Sequence, residues 1–328
     1  MRIAIDLMGG DYAPQAIIEG ALLLARAYPE DRLLLVGLPQ VKTAFPDLPD
    51  NCLYLDCGSV MAMDEDVRGL MRKKDSSIWM ATELVKTGEA DAVISAGSTG
   101  AQMAAATLLL GRIPGCERPA IATVVPTAAG AKLLLDVGAN ADCSPELLLT
   151  FARMGAVYAE QLLNYDNPRV ALLANGTEEH KGNKLVREAY ALIKGSDLHF
   201  IGNLEGRDIL TGNYEVIVCD GMSGNIAIKS MEGAVAMIMQ LLKQELTSSL
   251  KAKAAAAMLK NNFRNVRKAL DQEEYGGAPL LGLSGISIVC HGGSSAKSIF
   301  SAGKLARKCH TNDFVNKLTA AFMAEPIQ

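Results

Sequence analysis

Two lysines, Lys181 and Lys184, bracket Gly182 and Asn183 at the end of the stretch Asn175-Gly176-Thr177-Glu178-Glu179-His180. A helical pattern starts there, and cations at a helix start run against the preference of that end for acids. A bound anion would account for the placement; two solvated lysines are the competing reading. Four other polar, glycine-rich turns follow short apolar runs: Asp6-Leu7-Met8-Gly9-Gly10-Asp11, Ala96-Gly97-Ser98-Thr99-Gly100-Ala101, Asp220-Gly221-Met222-Ser223-Gly224-Asn225 and His291-Gly292-Gly293-Ser294-Ser295. Glycine allows close backbone approach to a ligand, and the helix that follows offers unpaired N–H groups and partial positive charge. Together these make an anion site. Any strand-to-helix turn favours Gly, Ser, Thr and Asn for capping and turning alone, so one such loop reads as structural. Five of them shift the balance toward a phosphate-handling crevice.

Within these loops Asp220 could orient a donor or exchange a proton, or simply cap a helix. His291 is the histidine best placed for a role, with capping or packing as the alternative. Cys143, Cys219 and Cys290 read as small buried hydrophobes. The sequence has neither a G-x-x-x-x-G-K-[ST] phosphate loop nor a G-x-G-x-x-G dinucleotide fingerprint. It also lacks zinc patterns of the H-E-x-x-H kind, and Ser98 sits in Gly-Ser-Thr-Gly rather than a hydrolase elbow. No metal or organic cofactor is called for.

The elements that must hold these loops alternate along the chain. Strands are expected at Arg2–Leu7, Leu33–Gly37, Leu53–Cys57, Ala92–Ser95, Ala120–Pro126, Leu133–Asp136, Val170–Leu173, Leu198–Gly202, Glu215–Cys219 and Ile286–Val289. Helices are expected near Gln15–Ala27, Ser76–Lys86, Ala101–Leu110, Pro145–Leu163, Asn183–Lys194, Asn225–Leu246, Ala252–Gln272 and Ser295–Lys308. Alternation with nearly continuous apolar strands predicts an α/β fold, doubly wound, whose mostly parallel sheet carries helices on both faces. The loops then share the carboxyl edge of the strands, where ligands bind. Thr127–Ala131 reads as a hairpin turn, and Asn164–Pro168 as a helix stop that could mark a seam between two lobes of one domain.

The 328 residues are 49% hydrophobic and 21% charged, with a net charge of −4, so no global feature recommends a nucleic-acid partner. Seven cysteines without a C-x-x-C fit a reducing cytosol. A carboxylate at Asp6 precedes any apolar region of signal-peptide length, and no apolar run approaches the roughly 20 residues of a membrane span. One segment breaks the charge balance. Between Lys251 and Lys268 stand Lys251, Lys253, Lys260, Arg264, Arg267 and Lys268, with no acid. Leu250, Met258, Leu259, Phe263, Val266 and Leu270 recur among them at helical steps, so residues 250–272 read as a basic amphipathic helix. It could lie on an anionic bilayer, steer an acidic partner, face the core, or meet a second copy.

Taken in order, the loops resemble those of the acyl-carrier-protein:phosphate acyltransferase family of bacterial phospholipid synthesis (the PlsX family). The resemblance rests on Ile5–Asp11 with Pro14, Ser95–Ala101, Leu135-Asp136-Val137-Gly138-Ala139-Asn140, and Gly176–Glu179 with Lys181–Asn183. Cys219-Asp220-Gly221 with Gly224-Asn225, and Tyr275-Gly276-Gly277-Ala278, complete it. The sequence departs from the family pattern at Ser98, at Ala174-Asn175 and in the extra glycine after His291. The resemblance implies a fold similar to phosphate acetyltransferases and isocitrate-type dehydrogenases, a homodimer, and peripheral contact with the membrane or a membrane acyltransferase. It implies that a fatty acyl group passes from acyl carrier protein to inorganic phosphate, giving an acyl phosphate for phospholipid synthesis. On that chemistry Lys184 and the loop Gly176, Thr177, Lys181, Gly182 and Asn183 would meet phosphate or the oxyanion. Gly97, Ser98, Thr99 and Gly100 would add donors, and Gly221, Gly224, Asn225, Lys229 and His291 would extend the site. Asp220 would help protonate the thiolate, while Met258, Leu259, Lys260, Arg264 and Arg267 would meet the partner or membrane. Rival readings are a non-catalytic acyl-binding module and an NAD-linked dehydrogenase of similar fold.

Overall fold

In β1 (Arg2–Asp6), Ile3 and Ile5 point to one face of the sheet and Ala4 to the other, and all three are fully buried. That two-sided burial is what parallel, helix-covered strands require. The computed structural model describes residues 1–269 and 276–324. The further strands are β2 (Arg32–Gly37), β3 (Cys52–Asp56), β4 (Ala92–Ser95), β5 (Ala120–Thr127), β6 (Gly130–Leu135), β7 (Val170–Ala174), β8 (Phe200–Glu205), β9 (Val216–Val218), β10 (Ala278–Leu281) and β11 (Ile286–Val289). Among the described residues they form one sheet in the order β3-β2-β1-β4-β11-β10-β5-β6-β9-β7-β8. Pairing is parallel except where β10 meets β11 and β5, and where β5 meets β6. The last is the expected hairpin, with Thr127 opposite Gly130.

Helices α1 (Gln15–Ala27) and α10 (Ala296–Thr311) cover one face of the first strands, and α3 (Ser77–Lys86) the other. In the second half, α5 (Pro145–Leu163) lies against Leu133, Leu135 and Val216, while Leu134 and Ile217 face Ile228 of α7 (Gly221–Thr247). The turn at Asn164–Pro168 joins α5 to β7, and these two elements pack together. The described chain also has α2 (Pro39–Ala44), α4 (Thr99–Leu109), α6 (Lys184–Lys194) and α11 (Phe314–Ala324).

Four elements differ from expectation: α2 and α11 have no counterpart among the expected helices, and two others depart from their reading. β10 reads as loop in the sequence because Pro279 sits in a four-residue run, yet Pro279 pairs with Ile288. The single helix expected at Ala252–Gln272 is broken into α8 (Leu250–Met258) and α9 (Lys260–Ala269). The break falls at Leu259, just before Lys260-Asn261-Asn262, where asparagines favour caps over helix interiors. The expected helix end, Leu270 and Tyr275 lie outside the described residues. No helix of the described residues is long and apolar enough to cross a membrane.

A buried ion cluster ties the far edge of the second half together. Glu215 accepts from Lys132 Nζ at 3.0 Å, from the Arg169 backbone N–H at 2.8 Å and from its guanidinium at 2.8 and 2.9 Å. Against the upward push of burial, these donors lower the Glu215 pKa from 4.5 to about 2. A depressed carboxylate contributes stability above its unfolded pKa and loses it as pH falls through the folded one. The urea midpoint is therefore expected to fall between pH 4.5 and about 2, and Glu215→Gln should flatten that dependence. Equal slopes for the two proteins would assign the acid loss to other carboxylates.

Candidate active site

The carboxyl ends of β4, β6 and β11 open onto a cleft of about 630 Å³ that α7 also lines. Its walls bring together Gly97 and Thr99, Asn225 and Lys229, and the turn His291–Ser294. The strand order does this: β11 sits beside β4, so the loops after residues 95 and 289 become neighbours. The Asp11 N–H donates to the Gly292 carbonyl at 2.8 Å, tying the first loop to the last. His291 keeps Nδ1 as an acceptor for the Gly293 N–H at 3.0 Å, which leaves Nε2 to carry the ring proton when neutral.

Four of the five candidate loops lead into a helix with a polar residue at its cap position, and the first turns of these four helices differ. Asn183 caps α6 by accepting from the Val186 N–H, Asp220 caps α7 through Ser223, and Ser295 caps α10 through Ser298. Ser98, at the start of α4, makes no such capping bond. The start of α4 therefore faces the cleft with donor groups that no side chain of its own cap satisfies. The Lys229 side chain lines the same cleft from α7. Backbone donors at a helix start and an ammonium group form an anion site.

α7 also divides the expected residues between two clefts. Asn225, Ile228, Lys229 and Glu232, at helical spacing, line the central cleft. Asp220 and Ser223 instead line a second cleft of about 430 Å³, with Asn175, Gly182 and Asn183. There Asn175 Oδ1 accepts from the Gly182 N–H at 2.9 Å and closes the loop upon itself. The Asp220 carboxylate is engaged as a cap, accepting from Ser223 N–H and Oγ, both at 2.8 Å. Lys184 points into neither cleft: its side chain is 83% exposed and lies 3.7 Å from Glu188. Gly176 is buried, Thr177 exposed and Lys181 half-buried in the same loop.

For Gly221 and Gly224 the lack of a side chain serves packing. A Cβ on Gly224 would overlap the Asp136 carbonyl, and one on Gly221 would press on the Asn140 backbone. Glycine at these positions lets α7 start directly against the loop Asp136–Asn140. Likewise, a Cβ on Gly100 would meet Val67 at 2.9 Å.

Two buried carboxylates organise the loops, and neither stood among the candidate site residues. Asp6 Oδ2 accepts from Ser95 Oγ at 2.7 Å, Ser95 Oγ accepts from the Gly97 N–H at 3.0 Å, and Asp6 Oδ1 accepts from the Met8 N–H at 3.1 Å. Burial raises the Asp6 carboxyl pKa, against the pull of hydrogen bonds from Ser77, Ser95 and the Met8 and Gly9 backbone. Asp136 binds the N–H groups of Ile121, Gly138, Ala139 and Asn140, and the Asn140 side-chain amide, at 2.7–3.2 Å. Burial raises its carboxyl pKa too. The available signal was a lone acid at the end of an apolar strand, too common to single out.

Because Asp6 holds Gly97 at the cleft wall through Ser95, Asp6→Asn is expected to weaken anion binding in the cleft about tenfold, the scale of one hydrogen bond to a charged group. Ser95→Ala should do the same, and the double variant should add little more, since both break one chain of bonds. Additive effects would show that the two residues act separately.

Residues 1–317 match the profile of a family described as fatty acid synthesis protein. A phosphate acyltransferase of Heliobacterium modesticaldum is 50% identical over 321 residues, covering 96% of each chain. One from Desulfitobacterium hafniense is 48% identical over 323 residues, covering 97% of this chain and 96% of its own. Among solved structures, a phosphotransacetylase from Streptococcus pyogenes superposes with a TM-score of 0.61 at 17% identity, covering 94% of both chains. A 4-hydroxythreonine-4-phosphate dehydrogenase from Klebsiella pneumoniae gives 0.54 at 13% identity, covering 94% of this chain and 98% of its own. At such identities the likeness concerns fold alone.

Proposed function

The chain belongs to the fatty acid synthesis protein family, and from that premise we propose that it transfers a long-chain fatty acyl group from acyl carrier protein to inorganic phosphate. The observation that best supports this reading is that the uncapped start of α4 and Lys229 line the same central cleft. Phosphate held there would attack the thioester carbonyl carbon through one oxygen. The carbonyl oxygen becomes an oxyanion, the C–S bond then breaks, and the thiolate leaves to take a proton. Products are an acyl phosphate and free carrier protein thiol. Positioning and preorganised donors supply most of the acceleration in such a step. Thr99, Asn225 and Lys229 are the proposed donors, with His291 as the neighbouring proton carrier. Lys184, Asp220, Gly182 and Asn183 are proposed to act from the second cleft, Lys184 after leaving Glu188. Phosphate-dependent release of thiol from acyl carrier protein thioesters tests the reading. Thioester cleavage that ignores phosphate, or binding without cleavage, would refute it.

The helical arm belongs to the same proposal. Beyond Ile228 no residue of α7 is buried, and Met237, Ile238, Leu241 and Leu242 stand exposed on it. We assign this row to a second copy of the chain, giving a homodimer. In α8 and α9, Leu250 and Met258 are each 86% exposed, and Leu259 and Val266 about half, so the core-facing alternative fails for the single chain. With Lys260 and Arg264 beside them, these residues are proposed to dock on an anionic membrane surface. The Arg267 side chain lies outside the described residues. Met258→Glu with Leu259→Glu is expected to abolish sedimentation with anionic vesicles while turnover on soluble substrate persists. Unchanged vesicle binding would hand the segment to the dimer or the carrier protein.

A further inference from the structure

We propose that the floor of the central cleft is the seat of the fatty acyl chain, an inference that rests on the acyl-transfer reading above. Five apolar side chains from separate parts of the fold meet there: Ile121 of β5, Val137, Ile228 of α7, Ala278 of β10 and Val289 of β11. Four of them keep 6–8% of their surface exposed, where the strand interiors beside them, Ile94 and Leu133, keep none. That residue of exposure is the cleft. Phosphate accounts for the polar rim at Thr99, Asn225 and Lys229 but not for an apolar floor in a space of about 630 Å³. Clefts of that size, apolar with a few placed polar groups, take organic ligands of substantial length. The only apolar component of the proposed reaction is the acyl chain. Its carbonyl would lie at the rim donors and its methylenes along β5, β10 and α7. Each methylene so buried should raise kcat/KM roughly fourfold until the floor is filled.

The half-buried Val137 and Thr123 provide the test, since neither is packed solid and both line the cleft. Thioesters from butanoyl to hexadecanoyl are compared at saturating phosphate. Val137→Phe is expected to lower the hexadecanoyl-to-butanoyl ratio of kcat/KM by about tenfold or more. Thr123→Asp, which sets a charge in the floor rather than bulk, should lower the same ratio and stands in if Val137→Phe fails to fold. Equal losses at every chain length in a folded variant, or an unchanged ratio, overturn the assignment. So does a change confined to the KM of the carrier protein, which would place the thiol-bearing arm on the floor. A wild-type protein that cleaves no thioester with phosphate at any length sinks the acyl-transfer reading itself, and this inference with it. That failure is recognised before any variant is made.

Discussion

Lys229→Ala is expected to lower kcat/KM for phosphate by about 10²–10³, the cost of removing one preorganised donor from a developing oxyanion. Lys229 lies one turn beyond Asn225 on α7 and shares the central cleft with the uncapped start of α4. Its ammonium is the positive side chain lining that cleft from α7, and a dianion brought there meets it together with backbone donors. The helix around it should be undisturbed, because Lys229 is exposed and Ile228 beside it carries the packing. Melting temperature should therefore stay put while the rate falls. At Lys184, which is 83% exposed beside Glu188, the same substitution is expected to cost about tenfold, the scale of one exposed charge steering an anion. If Lys184→Ala proved the more damaging of the two, the phosphate would belong to the second cleft. Wild-type rates for Lys229→Ala would remove the central cleft from the chemistry.

Asp136→Ala is expected to lower stability by about 3 kcal/mol or more. Five N–H donors converge on that carboxylate, from Ile121, Gly138, Ala139 and twice from Asn140. Three of these bonds, from Ile121 and the two from Asn140, lie away from water with the fully buried Asp136, while Gly138 is exposed and Ala139 half-buried. A buried donor left unpaired costs about 1–3 kcal/mol, so the three buried ones cost about 3 kcal/mol at the lower limit. That is a large share of a domain's stability. The loop they hold is also the surface on which Gly221 and Gly224 seat the start of α7. Soluble expression and chemical denaturation measure the outcome. A folded Asp136→Ala protein with a near-native urea midpoint would mean that water reaches these donors. Asp136→Asn keeps one acceptor oxygen but turns an amide toward the Asn140 donors, so it should fall between the two.

Much of the fold was legible because burial on two faces leaves a strong trace. Runs such as Leu33–Gly37 and Leu133–Leu135 are apolar throughout, and ten of the eleven described strands were read from that signal. β10 escaped because a proline in a short run carries the signature of a turn, while its pairing with β11 and β5 comes from the rest of the sheet. The loops that carry chemistry could be found one at a time from their glycines. Which of them share a cleft could not, since that depends on β11 lying against β4 and on α7 turning Asn225 one way and Asp220 the other. The capping pattern was equally hidden. Ser98, Asn183, Asp220 and Ser295 are all good cap residues by type, and only the geometry shows which one leaves its helix end open.

The strand order has a consequence for how the molecule is born. β4 and β5 are not neighbours; β11 and β10 stand between them, and these are the last strands in chain order among the described residues. Until Ala278–Val289 emerges, the growing chain holds two unfinished sheets, each with a bare apolar edge, at Val93–Ile94 on one side and Ala120–Ala122 on the other. Bare edges of that kind recruit stray strands from other chains. The same closing segments supply the cleft's Gly276–Ala278 and His291–Ser294. A polypeptide released before Ala278 would thus expose both edges and carry an incomplete pocket.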